Sequence, residues 1–519
     1  METKRELQIK AKELIEVSPK ESIAIGKRIW DEFEGIDEFN LYDALQVLNA
    51  ARKDCSVDFA FVFEVAKKYS EKEDVINKFK WYVFDKYLKA KKNIALLPNE
   101  ININKSLSLI YQSNLREDST YPCPFTIGAI ELSKGHSKNL FNGRKVNEYL
   151  DKLNPLFLSK KNNNYVKDGE EVKVASDLES YYALKTKALL KIDLIEECKS
   201  LCELALNDLN EFHYNNDLWF QMRIALCYEK LGELEKSEEL FQKLLSTKAG
   251  NDKWFLYYNI SDLYCHQNNF ERALKYSVNA TFYGTDLDKM NGLLLLQARI
   301  FVKLNRLNDG KTIAELIAAI IKKYDLNIKQ DYDNLFKYFG IDIQNYKEFN
   351  SIYKIAHDLW IKERYRGLYE VTGKIIFVNP NGKFGKIKTS DNRTYSFHKR
   401  DFNEKKRNII DLKDAKVSFI KMKSFDNKIV AENIKILEKP NNSNQSLSTG
   451  TVLSGTIKNF TDFGIFIKIN GHKDGLINKN VLPADIKNRF KEIYSLDQKI
   501  KVIVDKVSER GIELKIKNE

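Results

Sequence analysis

Gly450-Thr-Val-Leu-Ser-Gly455, Phe463-Gly-Ile-Phe-Ile-Lys-Ile469 and Asp474-Gly-Leu-Ile477 follow one another near the end of the chain. Their reading decides the fold of that end. Gly450 opens a strand that Ile457 to Phe460 continue, the second stretch alternates with period two, and Gly471 turns the chain into a third strand. Further on, Ile500, Val502 and Val504 alternate, and Ile512, Leu514 and Ile516 alternate against Glu513, Lys515 and Lys517. A helical stretch from Ala484 to Ile493 precedes the fourth strand. Five short strands with a helix before the fourth predict an all-β OB-fold barrel over residues 449–519.

The pattern G-T-V-x-x-G-x-I, then D-F-G-I-F-I, then G-L-I resembles the S1 RNA-binding domain, from Thr449 to about Lys517. The resemblance implies that Phe463 and Phe466 lie on the open sheet face and stack on bases. A histidine often follows the third motif in that family; Asn478 replaces it here, and its amide can still hydrogen-bond a base edge. The two phenylalanines differ by three, so a regular strand cannot turn both to one face, and Gly464 is expected to supply a bulge between them.

Moving outward, residues 367–439 predict a second all-β barrel. Gly373 to Asn379, Gly382 to Lys388 and Tyr395 to His398 read as three strands, followed by Val417 to Phe419 and Val430 to Ile434. The order resembles the cold-shock domain, with its marks G-x-V-K-W-F-N, G-F-G-F-I, F-V-H and a closing A-x-N-V. Phe377 stands where that family has Trp, Phe384 and His398 match its stacking positions, and Lys386 and Ser396 replace two of its aromatics. This face is less aromatic and more cationic, with 17 Lys and Arg against 9 Asp and Glu over 367–439. Electrostatic attraction to a phosphate backbone should therefore outweigh stacking there. Lys405-Lys406-Arg407, after the third strand, extends the cationic track or serves solubility alone.

Residues 440–448 are a polar linker between the barrels. Before them lies a helical body. Residues 1–96 read as several helices, with Ser18-Pro19-Lys20-Glu21 as a cap and Ile76, Phe79, Val83, Phe84 and Tyr87 at helical spacing. In residues 97–176 the signal weakens: Tyr121-Pro122-Cys123-Pro124 breaks any helix, Val146 to Leu153 is a short helix stopped by Pro155, and residues 160–169 form an Asn-rich loop. This stretch is expected to be an irregular insertion that packs on the body.

Across residues 177–366 a repeat emerges. Small residues recur at Cys198, Ser237, Ala273 and Gly310, in steps of 39, 36 and 37, with Tyr228, Tyr264 and Phe301 at the matching aromatic position. Such spacing suits helix pairs that cross closely at the small residue. It resembles the tetratricopeptide repeat over about four repeats, with slightly long steps and no proline between them. The resemblance implies an all-α solenoid whose concave face takes a partner protein or another copy of the chain.

Charge divides the chain at the same place. Residues 367–519 hold 30 Lys and Arg against 18 Asp and Glu, and this excess of 12 equals that of the whole chain, leaving the first 366 residues balanced. A neutral helical body joined to a basic β-rich end predicts protein contact at one end and nucleic-acid contact at the other. The polar start argues against a secretory signal, and the most apolar stretch, Leu316 to Ile321, is too short to span a bilayer, so no membrane partner is expected. Six scattered cysteines predict a reducing, cytoplasmic setting. Cys198 and Cys202 sit one turn apart but fall where the repeat wants small buried residues.

No constellation calls for catalysis or a cofactor. Gly382-Lys-Phe-Gly-Lys-Ile lacks the Gly-Lys-Ser/Thr ending of a phosphate loop. The six histidines show no paired ligand spacing, and Glu513-Leu514-Lys515 has its acidic counterpart, Asp485, in a helical stretch. The expectation is a non-catalytic adaptor, of bacterial type, acting in translation, RNA turnover or defence against phage. Single-stranded RNA would be held by Lys374, Lys383, Lys386, Lys458, Lys468 and Arg510 through phosphates. Phe377, Phe384, His398, Phe463, Phe466 and Asn478 would take the bases. The alternatives are single-stranded DNA, a protein scaffold or regulatory subunit whose barrels touch no nucleic acid, and a metal-dependent nuclease using Asp485 and Glu513.

Overall fold

A computed structural model describes residues 2–34, 38–89, 93–113, 123–138, 141–162, 164–167, 169–284, 286–343, 348–403, 409–424, 428–439, 448–469, 472–508 and 511–517. Arg510, Lys405-Lys406-Arg407, Tyr121-Pro122 and nearly all of the 440–448 linker lie outside them. The chain forms two compact units, Met1–Arg366 and Gly367–Glu519.

The first unit is helical: α1 (Lys4–Val17), α2 (Pro19–Glu32), α3 (Leu41–Lys53), α4 (Phe59–Lys68), α5 (Glu73–Val83), α6 (Asn93–Leu96), α7 (Glu100–Gln112), α8 (Pro124–His136) and α9 (Gly143–Leu150) come first. Ser18 stands at the start of α2 with Pro19 in the first turn, but its side chain makes no capping bond. The reason is that Ser18 also ends α1, where its N–H bonds back to Leu14 O at 2.8 Å. Ile76, Phe79 and Val83 are buried on α5, as expected for their spacing.

Residues 97–176 depart from the irregular insertion expected of them. Ile103, Leu107 and Ile110 of α7, Phe125, Ala129 and Leu132 of α8, and Val146 and Tyr149 of α9 join the same core as α5. No described helix runs through Cys123-Pro124, and Pro124 begins one, at the first-turn position where a missing N–H costs nothing. The short helix starts at Gly143 rather than Val146, because Asn142 Oδ1 caps it by accepting from Lys145 N at 3.1 Å. β1 (Tyr165–Lys167), within the Asn-rich stretch, pairs antiparallel with β2 (Glu170–Val172), just after it.

Four antiparallel pairs follow: α10 (Asp177–Lys191) with α11 (Ile195–Asp208), α12 (Asn216–Lys230) with α13 (Leu234–Leu245), α14 (Trp254–His266) with α15 (Phe270–Tyr283), and α16 (Asn291–Lys303) with α17 (Leu307–Tyr324). Cys198, Ser237 and Ala273 are fully buried at the crossings. At Gly310 a Cβ would lie 3.3 Å from Ala298 O. Each pair turns through a left-handed residue: Asp193, Gly232, Asn268 and Asn305. The next N–H, from Leu194, Glu233, Asn269 and Arg306, returns to the carbonyl of Leu189, Tyr228, Tyr264 and Phe301. This helix-ending bond satisfies carbonyls that would otherwise be orphaned, and it recurs in the same register as the small residues.

Helix α12 serves two cores. Phe220, Ile224 and Cys227 pack towards the N-terminal one. Leu218, Met222 and Ala225 pack towards the one that continues to Trp360. Buried Arg223 lies among them and donates from Nη1 to Thr186 Oγ1 at 3.1 Å. Then come α18 (Gln330–Phe339) and α19 (Phe349–Arg364), where Trp360 Nε1 donates to Gln297 Oε1 at 3.0 Å. Among the described residues no helix is long and apolar enough to cross a membrane.

The second unit holds two closed five-stranded barrels. One is built from β3 (Glu370–Val378), β4 (Phe384–Thr389), β5 (Thr394–His398), β6 (Lys416–Lys423) and β7 (Ile429–Glu438), in the order β3-β4-β5-β7-β6. The other uses β8 (Val452–Thr461), β9 (Gly464–Ile469), β10 (Gly475–Asn478), β11 (Lys499–Ser508) and β12 (Gly511–Ile516) in the corresponding order. In each, the third and fifth strands pair in parallel, β5 with β7 and β10 with β12. Isoleucine, valine and phenylalanine fill the two interiors, from Ile375, Ile387 and Phe419 in one and from Ile457, Ile467 and Val502 in the other. The predicted helical stretch before the fourth strand is two single turns, α20 (Ala484–Lys487) and α21 (Phe490–Ile493).

Candidate nucleic-acid interface

Alternation sorts each barrel into a filled interior and an outward face. On β4 the outward residues are Phe384, Lys386 and Lys388, and on β5 they are Thr394, Ser396 and His398. Across these strands Phe384 lies opposite His398, and Lys386 opposite Ser396. On β3 a bulge falls between Ile375 and Phe377, so that Ile376 and Phe377 are both exposed and Phe377 comes to face Lys386. The Phe377 and Phe384 rings lie 6.3 Å apart, tilted by 46°. The sequence-predicted Phe377, Phe384, Lys386 and His398 thus share one surface. Lys383 stands at its rim, beside β4, where its N–H is held by Asn379 Oδ1 at 2.9 Å. Lys374 is spent on Asp414, 2.9 Å away.

Burial, helped by the charges of Arg400 and Lys383, lowers the His398 pKa below its ordinary value. The imidazole is therefore mainly neutral near pH 7, a state suited to stacking. Its Nδ1 accepts from Arg400 N at 3.4 Å and so caps the 3₁₀ turn that follows β5.

In the second barrel Phe463 and Phe466 do come together, with ring centroids 6.1 Å apart and planes at 83°. The route differs from the one expected. Gly464 carries no bulge; Phe463 sits in the β8–β9 turn, about half exposed, while Phe466 points outward from β9 beside exposed Lys468. The bulge lies on β8 instead, between Ile457 and Asn459, and brings Asn459 opposite Phe466. Gly464 is needed for a different reason: a Cβ there would sit 2.1 Å from Ile477 O. The missing side chain lets β10 close against the start of β9.

Asn478 lies opposite Gly464, as His398 lies opposite Phe384. Its Oδ1 accepts from Asn480 N at 2.9 Å and caps the 3₁₀ turn after β10. Asparagine therefore keeps the capping task that histidine performs in the first barrel, with an amide instead of a ring beside the aromatics. Lys458 is ion-paired to Asp474. Asp485 and Glu513 share no described contact, and Lys515 beside Glu513 pairs with Asp505 at 2.7 Å.

Two features of the site are not in the predicted set. Ile376 adds an apolar surface beside Phe377, and Lys388 adds a cation opposite Lys374. The period-two alternation from Phe384 through Lys386 marks Lys388 as outward; only the bulge reveals Ile376.

Residues 446–517 match the S1 RNA binding domain family. Over 65 residues the chain is 38% identical to the small ribosomal subunit protein bS1 of Rickettsia conorii, covering 12% of this chain. The chain spans only 11% of the length of that relative. The crystal structure of BtubC (BKLC) from P. vanneervenii is 12% identical and aligns with a TM-score of 0.27, covering 52% of this chain and 94% of the other. So distant a likeness carries no argument. The S1 domain, with an exposed Phe463 ring beside a half-buried Phe466 ring, supports RNA binding by the C-terminal barrel.

Proposed function

We propose that this protein is a non-catalytic RNA-binding adaptor. Its S1-type barrel holds the bases of a single strand on Phe463 and Phe466, and its cold-shock-like barrel holds the strand's phosphates with Lys383, Lys386 and Lys388. The carrying observation is the outward pair Phe463 and Phe466 in a barrel that matches the S1 RNA binding domain. Stacking on two rings supplies about 1–3 kcal/mol per base, and each phosphate contact adds affinity that falls with salt. The tetratricopeptide-like helix pairs, neutral overall and closely crossed, suit a protein partner, and translation, RNA turnover and phage defence are the settings in which such a bridge operates.

Fluorescence anisotropy with a short single-stranded RNA, the matching DNA and the RNA duplex, each across a salt series, tests this reading on the full chain. Single-stranded RNA should bind tightest, with affinity falling as salt rises. Absence of binding to all three at low salt would overturn it in favour of a protein scaffold. Divalent-metal-dependent shortening of the RNA, lost in Asp485→Asn or Glu513→Gln, would instead establish an enzyme.

A further inference from the structure

The histidines have no ligand spacing in the sequence, yet folding sets one of them against two carboxylates far from either barrel. Asp262 and His266 lie one turn apart on α14, and Glu229 reaches them from α12. One ligand atom from each residue lies within 4.8 Å of the other two. His266 Nδ1 donates to Glu229 Oε1 at 2.6 Å. Glu229 forms the inner wall, its side chain only 9% exposed, while His266, at 60%, keeps the cluster open to solvent.

Cations lie near the cluster without an ion pair to it. The neighbouring cations are engaged elsewhere: Arg299 with Asp331 at 2.8 Å and Lys230 with Asp193 at 2.7 Å. Half-buried Asp262 accepts no hydrogen bond among the described residues. Two partly desolvated carboxylates thus share a single imidazole, where a bound cation would serve both.

We propose that Glu229, Asp262 and His266 form a binding site for one first-row divalent cation of the zinc type. One imidazole nitrogen with two carboxylate oxygens is a donor set that zinc, cobalt and manganese accept, and three protein ligands leave a position for water. A tetrahedral ion spaces such ligands about 3.3 Å apart. The ligand atoms, now within 4.8 Å of one another, would draw together on binding, and the exposed His266 has room to turn. Binding at Nδ1 requires its proton to leave, to Nε2 by a change of tautomer in the neutral imidazole or to solvent from the imidazolium, and replaces the Glu229 hydrogen bond with two metal bonds. The ion would join α12 to α14, the first helices of consecutive pairs.

Cobalt(II) titrated into the full chain without RNA, followed by visible absorption and by calorimetry, tests the site. The expected result is one equivalent bound with no thiolate-to-cobalt charge-transfer band. Asp262→Asn and His266→Ala should each weaken binding at least about tenfold, with the metal-free circular dichroism spectrum unchanged. A thiolate band would assign the ion to cysteines and overturn the proposal. Equal affinity in wild type and both variants, or no uptake at millimolar cobalt, would overturn it as well. RNA binding is measured separately, so neither result bears on the other.

Discussion

The two barrels share a strand order and a bulge in the first strand, yet the residues facing each other beside that bulge have exchanged characters. In the first barrel an aromatic, Phe377, stands on the first strand opposite a cation, Lys386. In the second a polar residue, Asn459, stands there opposite an aromatic, Phe466. One row further, the first barrel pairs Lys374 with Lys388 and the second pairs Thr456 with Lys468. The same frame therefore presents a ring pair set among cations in one copy and a ring pair with little charge beside it in the other. A strand held by both would be gripped by its backbone in one place and by its bases in the next, which separates salt-sensitive affinity from base contact.

The largest effect should come from the glycine that lets the rings stand where they do. Gly464→Ala forces a Cβ to within 2.1 Å of Ile477 O, at a cost of about 3 kcal/mol. That lowers the melting transition of the second barrel by roughly 10–20 °C and abolishes its share of RNA binding. Gly385→Ala in the first barrel meets Phe377 O at 2.5 Å and should be comparably harmful. Calorimetry in which either variant melts like the wild type would show that the strands yield.

Next comes the stacking surface itself. Phe463→Ala with Phe466→Ala should weaken single-stranded RNA binding by about 30-fold or more, since two stacked bases are worth at least about 2 kcal/mol. The same change at Phe377 and Phe384 should cost less, about tenfold. If anisotropy ranks the two pairs the other way round, the contrast between the barrels is wrong. Lys386→Phe supplies the ring that the first barrel lacks. It should flatten the dependence of log K on log salt by about 0.7 while altering low-salt affinity little, the lost phosphate contact being offset by stacking. An unchanged slope would show that Lys386 meets no phosphate. Smallest of all is Lys458→Gln: because Lys458 is held by Asp474, affinity should change less than about twofold. A larger loss would mean that RNA displaces Asp474.

What the sequence made legible was whatever rests on local periodicity. Alternation from Phe384 to Lys388 and from Ile465 to Ile469 identifies the outward residues, and spacing finds the small residues at the helix crossings. What it concealed was set by partners distant in sequence. Lys374 and Lys458 read as free cations because Asp414 and Asp474 lie 40 and 16 positions away. The β8 bulge is fixed by pairing with β9 and carries no glycine to betray it. Helices α7 to α9 were masked by prolines and short amphipathic faces, though Pro124 stands where a helix favours it. The left-handed turns at Asp193, Gly232, Asn268 and Asn305 carry a signal that was available, since Asp, Asn and Gly at steps of 39, 36 and 37 mark where the backbone must adopt positive φ.

Helix α12 has one further consequence, for how such a chain can change over generations. Phe220 and Ile224 answer to one core, Leu218 and Met222 to the other, and Arg223 is tied to Thr186 between them. A substitution within α12 must satisfy two sets of neighbours at once, so this helix limits how independently the two halves of the helical unit can diverge.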